Sequence, residues 1–139
     1  MRYVSTRGQA PVLDFEGVTL TGLVSDGGLY LPESWPEFSA DKIRAMRGLP
    51  YSQLAYEVMA PFVGDSLTGQ ELRDLCQRAY GNFSHSAVTP LVQLDEQHWL
   101  LELFHGPTLA FKDVALQLLG LLFETFLDKR ERPLTIIGA

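Results

Sequence analysis

Apolar and polar positions change period several times along the chain, and each change predicts an element. Near the N-terminus the pattern is short. APVLDFEGVTLTGL, from Ala10 to Leu23, alternates apolar and polar residues around Glu16-Gly17, as a β-hairpin does. In SDGGLYLPE, Asp26-Gly27-Gly28 predicts a turn, Leu29–Leu31 a short strand and Pro32 its end. The period then lengthens. Ser39 is placed to cap a helix running to about Arg47, with Gly48 as its stop, and Tyr51–Phe62 reads as a second helix. Thr68-Gly69-Gln70-Glu71 puts a hydroxyl at an N-cap and a glutamate three residues later, a capping box. It opens a helix from Gly69 to about Tyr80, ended by Gly81, with Leu72, Leu75, Cys76 and Ala79 on its apolar face.

Beyond a loop at Asn82–Pro90, Leu91–Leu94 and His98–Phe104 read as strands joined by Asp95-Glu96-Gln97. WLLELF is almost wholly apolar, as a strand covered on both faces would be. Gly106-Pro107 breaks it, Thr108 is the expected N-cap, and a helix runs to about Arg130. Pro133 ends the connection, and LTIIGA, from Leu134 to Ala139, repeats the buried-strand pattern. Residues 98–138 therefore predict strand, long helix, strand. The fold class is α/β: an N-terminal α+β part followed by the first βαβ unit of a doubly wound parallel sheet. One such unit cannot form a stable sheet alone. The chain is accordingly expected to be the front part of a longer protein, with its sheet incomplete. In this architecture ligands bind beyond the carboxyl ends of the strands.

Composition supports a packed core: of 139 residues, 46% are hydrophobic and 20% charged. The net charge of −6, from 11 basic and 17 acidic residues, gives no basic face for phosphates, so no nucleic-acid partner is expected. The densest basic stretch, Lys129, Arg130 and Arg132, is interrupted by Glu131. Cys76 is the single cysteine, which excludes a disulfide within the chain and leaves a small buried hydrophobe as its expected role. MRYVSTRGQAPV has no signal-peptide pattern, and the most apolar stretch, Val114–Phe123, is about half the length of a membrane span. No membrane partner and a cytoplasmic location are the expectations. Among short chemical signatures, the chain has no phosphate-binding glycine loop, nucleophile elbow, zinc-helix motif or C-x-x-C. His85, His98 and His105 show no metal-ligand spacing, and no metal is assigned.

The exception to ordinary chemistry is Lys112, in HGPTLAFKDVALQLLG. On a helical wheel Asp113, Gln117, Gly120, Glu124 and Asp128 share a polar stripe. Lys112 falls about a quarter turn away, with Leu109, Ala115, Leu116, Leu119 and Phe123 at helical spacing. An ammonium held there would be desolvated, and a lysine amine neutralised in that way is a nucleophile toward carbonyls, suited to a Schiff base. The alternative is a first-turn lysine that snorkels past its neighbours into water. Asp113 has a simpler reading as a first-turn acid favoured by the helix dipole.

LELFHGPTLAFKD, from Leu101 to Asp113, resembles the cofactor-lysine segment of the threonine synthase family. YVSTRGQAP, GLVSDGGLYLPE and TPLVQL are similar to other stretches of its N-terminal region, so the resemblance spans essentially the whole chain. It implies a pyridoxal-phosphate enzyme of the fold type of the tryptophan synthase β chain. The implied reaction converts O-phosphohomoserine and water to threonine and phosphate, the last step of threonine biosynthesis. It implies that Lys112 is the catalytic residue that binds the cofactor covalently, that Phe111 packs near the cofactor ring and that His105 lines the pocket. Arg7 is a candidate partner for a phosphate or carboxylate, with a structural role the stronger reading. The implied division is a family N-terminal domain at 1–90 and the start of the catalytic domain at 91–139. The family's Ser-, Gly- and Thr-rich phosphate loop would follow LTIIGA. The small-molecule substrate and the rest of the catalytic domain are the expected partners, and these residues alone are expected to be inactive. The rivals are an interaction or assembly module made of this segment, and another pyridoxal-phosphate lyase of the same fold.

Overall fold

A computed structural model describes residues 1–131 together with Pro133 and Thr135. The elements run β1 (Tyr3–Ser5), α1 (Phe15–Thr21), β2 (Tyr30–Pro32), α2 (Ala40–Ala45), α3 (Tyr51–Val63), α4 (Gly69–Tyr80), β3 (Leu91–Gln93), β4 (Trp99–Leu101) and α5 (Asp113–Arg130). The helix predicted to open on the capping box is α4. Thr68 Oγ1 accepts from the Glu71 amide at 3.2 Å, and Glu71 Oε2 accepts from the Thr68 amide at 2.6 Å. Its Leu72, Leu75, Cys76 and Ala79 are all buried, as its pattern requires. Burial pushes the Cys76 thiol up to about 11, so it packs as a neutral hydrophobe.

The core forms where α5 lies against α4. Leu118, Leu122 and Phe126, at four-residue spacing, meet the apolar face of α4, and Val63 and Leu67 close the cluster. Phe126 carries this core to α1 through an edge-on contact with Phe15, ring centroids 6.2 Å apart, and Phe15 in turn meets Tyr3. Ion pairs border the packing. Lys129 reaches Glu71 at 2.7 Å, Arg130 reaches Glu16 at 2.5 Å, and Arg78 reaches Glu124 at 3.1 Å.

Two expectations change, and a third is not reached. The segment read as a hairpin around Glu16-Gly17 is the helix α1. Asp14 caps it by accepting from the Gly17 amide at 2.7 Å, and Gly22 ends it at φ +68°. The two-residue alternation there is too short to outweigh an N-cap and a helical spacing of Phe15, Val18 and Thr19. β2 pairs with β1 instead, antiparallel, with Val4 opposite Leu31. The strand expected at His98–Phe104 is shorter and is exposed, not covered on both faces: Trp99, Leu100 and Leu101 are about half exposed. It pairs antiparallel with β3, Val92 opposite Leu100, around an Asp95 carboxylate that accepts from the Gln97 and His98 amides. The parallel strand expected at 134–139 falls, Thr135 apart, outside the described residues. No helix among the described residues is long and apolar enough to cross a membrane.

Candidate functional site

Between β4 and α5 the chain makes a turn that is held at both ends and open in the middle. At the far end stands Asp113, the first residue of α5 and 3% exposed. Helical side chains lean toward the N-terminus, and its carboxylate does so. Oδ2 accepts from the Thr108 amide at 2.8 Å and the Thr108 hydroxyl at 2.9 Å, while Oδ1 accepts from Gln117 Nε2 at 3.1 Å. Burial pushes the pKa of Asp113 up, but the Thr108 and Gln117 hydrogen bonds outweigh it and the net shift is downward. Gly106 packs against this carboxyl group. A Cβ there would reach Asp113 Oδ2 at 2.5 Å, so only glycine lets the turn close on the helix.

At the near end, His105 is fixed by side chain and backbone. Its Nε2 lies 2.6 Å from Glu102 Oε2, and both side chains are largely buried. Its carbonyl accepts from the Ser84 amide at 2.9 Å and the Ser84 hydroxyl at 3.2 Å. The ring lies against Phe104 and His85, with centroids 4.7 Å and 5.1 Å away. Glu102 is itself tied back, its amide donating to the Pro90 carbonyl at 3.0 Å.

The residues between are exposed, Pro107 through Lys112. Leu109 takes φ +63°, a left-handed conformation uncommon for a leucine, and its amide donates to the Gly106 carbonyl at 3.1 Å. Lys112 immediately precedes α5, and its carbonyl accepts from the Leu116 amide at 2.8 Å. Its backbone is therefore part of the helix start, while its side chain is in solvent with no ion-pair partner among the described residues. Phe111 beside it is 65% exposed.

Two expectations about this helix are corrected. It begins at Asp113, not after Thr108, because Leu109 leaves the helical region and Thr108 serves as a donor to Asp113. The apolar side on which the wheel places Lys112 is not a buried face: Leu109 and Leu116 are exposed, and the core face is Leu118, Leu122 and Phe126. The described residues thus do not desolvate the amine. Arg7 lies in a different turn, where its Nη1 donates to the Asp26 carbonyl at 3.1 Å.

The model of the family described as "Threonine synthase N terminus" matches residues 2–80. The chain belongs to the threonine synthase N-terminal family. Threonine synthase of Pseudomonas aeruginosa is 55% identical over 139 residues, which are all of this chain and 30% of that protein. The Schizosaccharomyces pombe enzyme is 43% identical over 99% of this chain and 28% of its own length. Human threonine synthase-like 2 is 41% identical over the same shares. Among solved structures, the PLP-bound threonine synthase from Brucella melitensis superposes with TM-score 0.92 at 52% identity, over 95% of this chain and 28% of that one. The yeast threonine synthase gives 0.87 at 38% identity. The chain therefore spans a little under a third of the threonine synthases it matches. The family match ends before the Glu102–Asp113 turn, which rests on the longer relatives.

Sequence reasoning singled out Lys112, Phe111 and His105, and all three lie on this turn in the threonine synthase-like chain. It missed Glu102. Residues three apart on a strand point to opposite faces, so a Glu102–His105 pair is excluded for a strand continuing to Phe104. The pair becomes possible because β4 ends at Leu101. The signals that could have found the rest were Gly106, a close-approach glycine, and Asp113 with a hydroxyl donor five residues before it.

Proposed function

We propose that this chain forms the first part of a threonine synthase, which converts O-phosphohomoserine and water to threonine and phosphate with pyridoxal 5′-phosphate as cofactor. In this reading Lys112 holds the cofactor. The observation that carries it is the exposed primary amine of Lys112, without an ion-pair partner among the described residues, on a turn clamped by Asp113 and Glu102–His105, in a chain whose Brucella relative is PLP-bound. The donor chemistry fits: an aldehyde group calls for a primary amine, and Phe111 next to it offers a flat apolar surface for a ring. When bound, the cofactor supplies an electron sink for loss of substrate protons and of the γ-phosphate.

The chain's own residues have three tasks. Lys112 Nζ would hold the cofactor and, as a free amine, would accept and return protons at that atom. Asp113 keeps the turn closed against the helix, so that the lysine backbone does not move as its side chain does. The β3–β4 hairpin and the outer face of α5 expose Leu91, Leu94, Trp99, Leu101 and Leu116, an apolar surface suited to the remainder of a catalytic domain. We assign residues 91–139 to that domain and residues 1–90 to the family's N-terminal domain, in a cytoplasmic enzyme, with these residues inactive on their own.

The test uses a full-length threonine synthase in which this sequence forms the first 139 residues. Borohydride is expected to fix the cofactor onto the peptide containing Lys112, and phosphate release from O-phosphohomoserine is expected to vanish in Lys112→Ala. Fixation at another lysine, or a visible cofactor band unchanged in Lys112→Ala, would sink the reading.

A further inference from the structure

We propose that Glu102 and His105 are positioning residues whose hydrogen-bonded contact fixes the near end of the Lys112 turn, independently of the Asp113 clamp at the far end. The proposal rests on the functional reading above. Pro107 through Lys112 are exposed, so packing does not hold them. Their order depends on their ends. One end is Asp113. The other is His105, gripped at Nε2 by Glu102 at 2.6 Å and at its carbonyl by the amide and hydroxyl of Ser84.

The next residue, Gly106, is already pressed onto Asp113. Rotation of His105 would therefore shift Gly106 against Asp113 and move the whole turn. Two left-handed non-glycine residues bracket this clamp, Leu109 at φ +63° and the buried Val88 at φ +58°. Val88 closes the loop carrying His85 and Ser84, its amide donating to the His85 carbonyl at 2.9 Å. A β-branched residue in that conformation persists only where its surroundings over-determine it. Here the surroundings are the loop that holds His105.

Ser84, His105 and Glu102 have the connectivity of a nucleophile, a base and an acid, but the geometry rejects that role. Ser84 Oγ is 3.5 Å from His105 Nδ1, too far for a useful proton transfer, and its hydroxyl donates to the His105 carbonyl. The histidine is thus a bracket. A lysine displaced by about 1 Å can lose on the order of a hundredfold in rate with little change in fold.

The experiment compares Glu102→Ala, Glu102→Gln and His105→Ala in a full-length threonine synthase carrying this sequence at its N-terminus. Cofactor dissociation constants are read from the visible band, kcat and KM from phosphate release, and amide exchange at Leu109 and Asp113 in the cofactor-free protein. Expected are cofactor affinity and kcat reduced about tenfold to a hundredfold in both alanine variants, with KM nearly constant. Amide exchange at Leu109 should be faster, and Glu102→Gln, which keeps an acceptor oxygen, should recover most of the loss. The double alanine variant should be no worse than either single one, since both break one contact. Unchanged affinity and amide exchange in the alanine variants, beside a normal parent, would overturn this proposal alone. A parent protein that binds no cofactor at Lys112 would overturn the functional reading and this proposal with it. Alanine variants that fail to fold, with Glu102→Gln folded but no better than a kcat loss of a hundredfold, would also overturn it.

Discussion

Leu109 stands in a conformation that its side chain resists, at φ +63° and 71% exposed. A left-handed L-residue costs about 1–2 kcal/mol, and glycine there would cost about 0.5–1 kcal/mol through its freer unfolded chain. Little apolar burial is at stake. Leu109→Gly should therefore leave stability unchanged or raise it by up to about 1.5 kcal/mol, while loosening the turn. Chemical denaturation of both proteins, with cofactor affinity of the full-length enzyme, checks this. Lower stability together with unaltered affinity would mean the strain is not stored at Leu109. Residue chemistry on this turn was only partly legible beforehand. Lys112 was visible because a cation in an apolar register is conspicuous. Glu102 was not, because its contact exists only where the strand stops at Leu101.

At the scale of elements, α5 is held to α4 by apolar packing and by a charged link at its C-terminal end. Glu71 belongs to the capping box of α4 and to the ion pair with Lys129. The Lys129 ammonium first, and then the Thr68 amide and hydroxyl, lower its pKa from 4.5 to about 2. A carboxylate depressed by folding contributes stability that is fully present above its unfolded pKa and lost as pH falls through the folded one. Thermal midpoints of the wild-type chain and Glu71→Gln should differ at pH 7 and converge between about pH 4.5 and about pH 2. A gap that stays constant across that window would show that the link contributes nothing through the charge of Glu71. The capping box itself could be read from Thr68 and Glu71 alone, since it uses residues three apart. The Lys129 partner lies at the end of another helix, and sequence spacing gives no access to it. The opposite failure occurred at α1, where alternation over a few residues imitated a hairpin and the Asp14 cap decided for helix.

Across the whole molecule, apolar surface is distributed unevenly. The apolar face of α4 and the inner face of α5 are buried, whereas the β3–β4 hairpin exposes large side chains on both faces, Trp99, Leu100 and Leu101 among them. A two-stranded hairpin is marginal in water without a covering layer. The 139-residue polypeptide should accordingly bind a hydrophobic dye, and replacing Trp99 and Leu101 by asparagine should remove most of the fluorescence. Dye binding unaffected by these substitutions would place the sticky surface elsewhere. The sequence by itself determined the helices of the core, because amphipathic period and caps are local properties, and it singled out Lys112 through a specific run of residues, although it placed the start of α5 too early. It also marked WLLELF as a strand made for covering, although the described residues leave it bare. Only the tertiary structure decided which face of α5 is inside, that Asp113, besides standing in the first turn of α5, closes the preceding turn through Thr108, and that Glu102 grips His105. Each of these depends on where a neighbouring element ends or approaches, a distance that no spacing along the chain encodes.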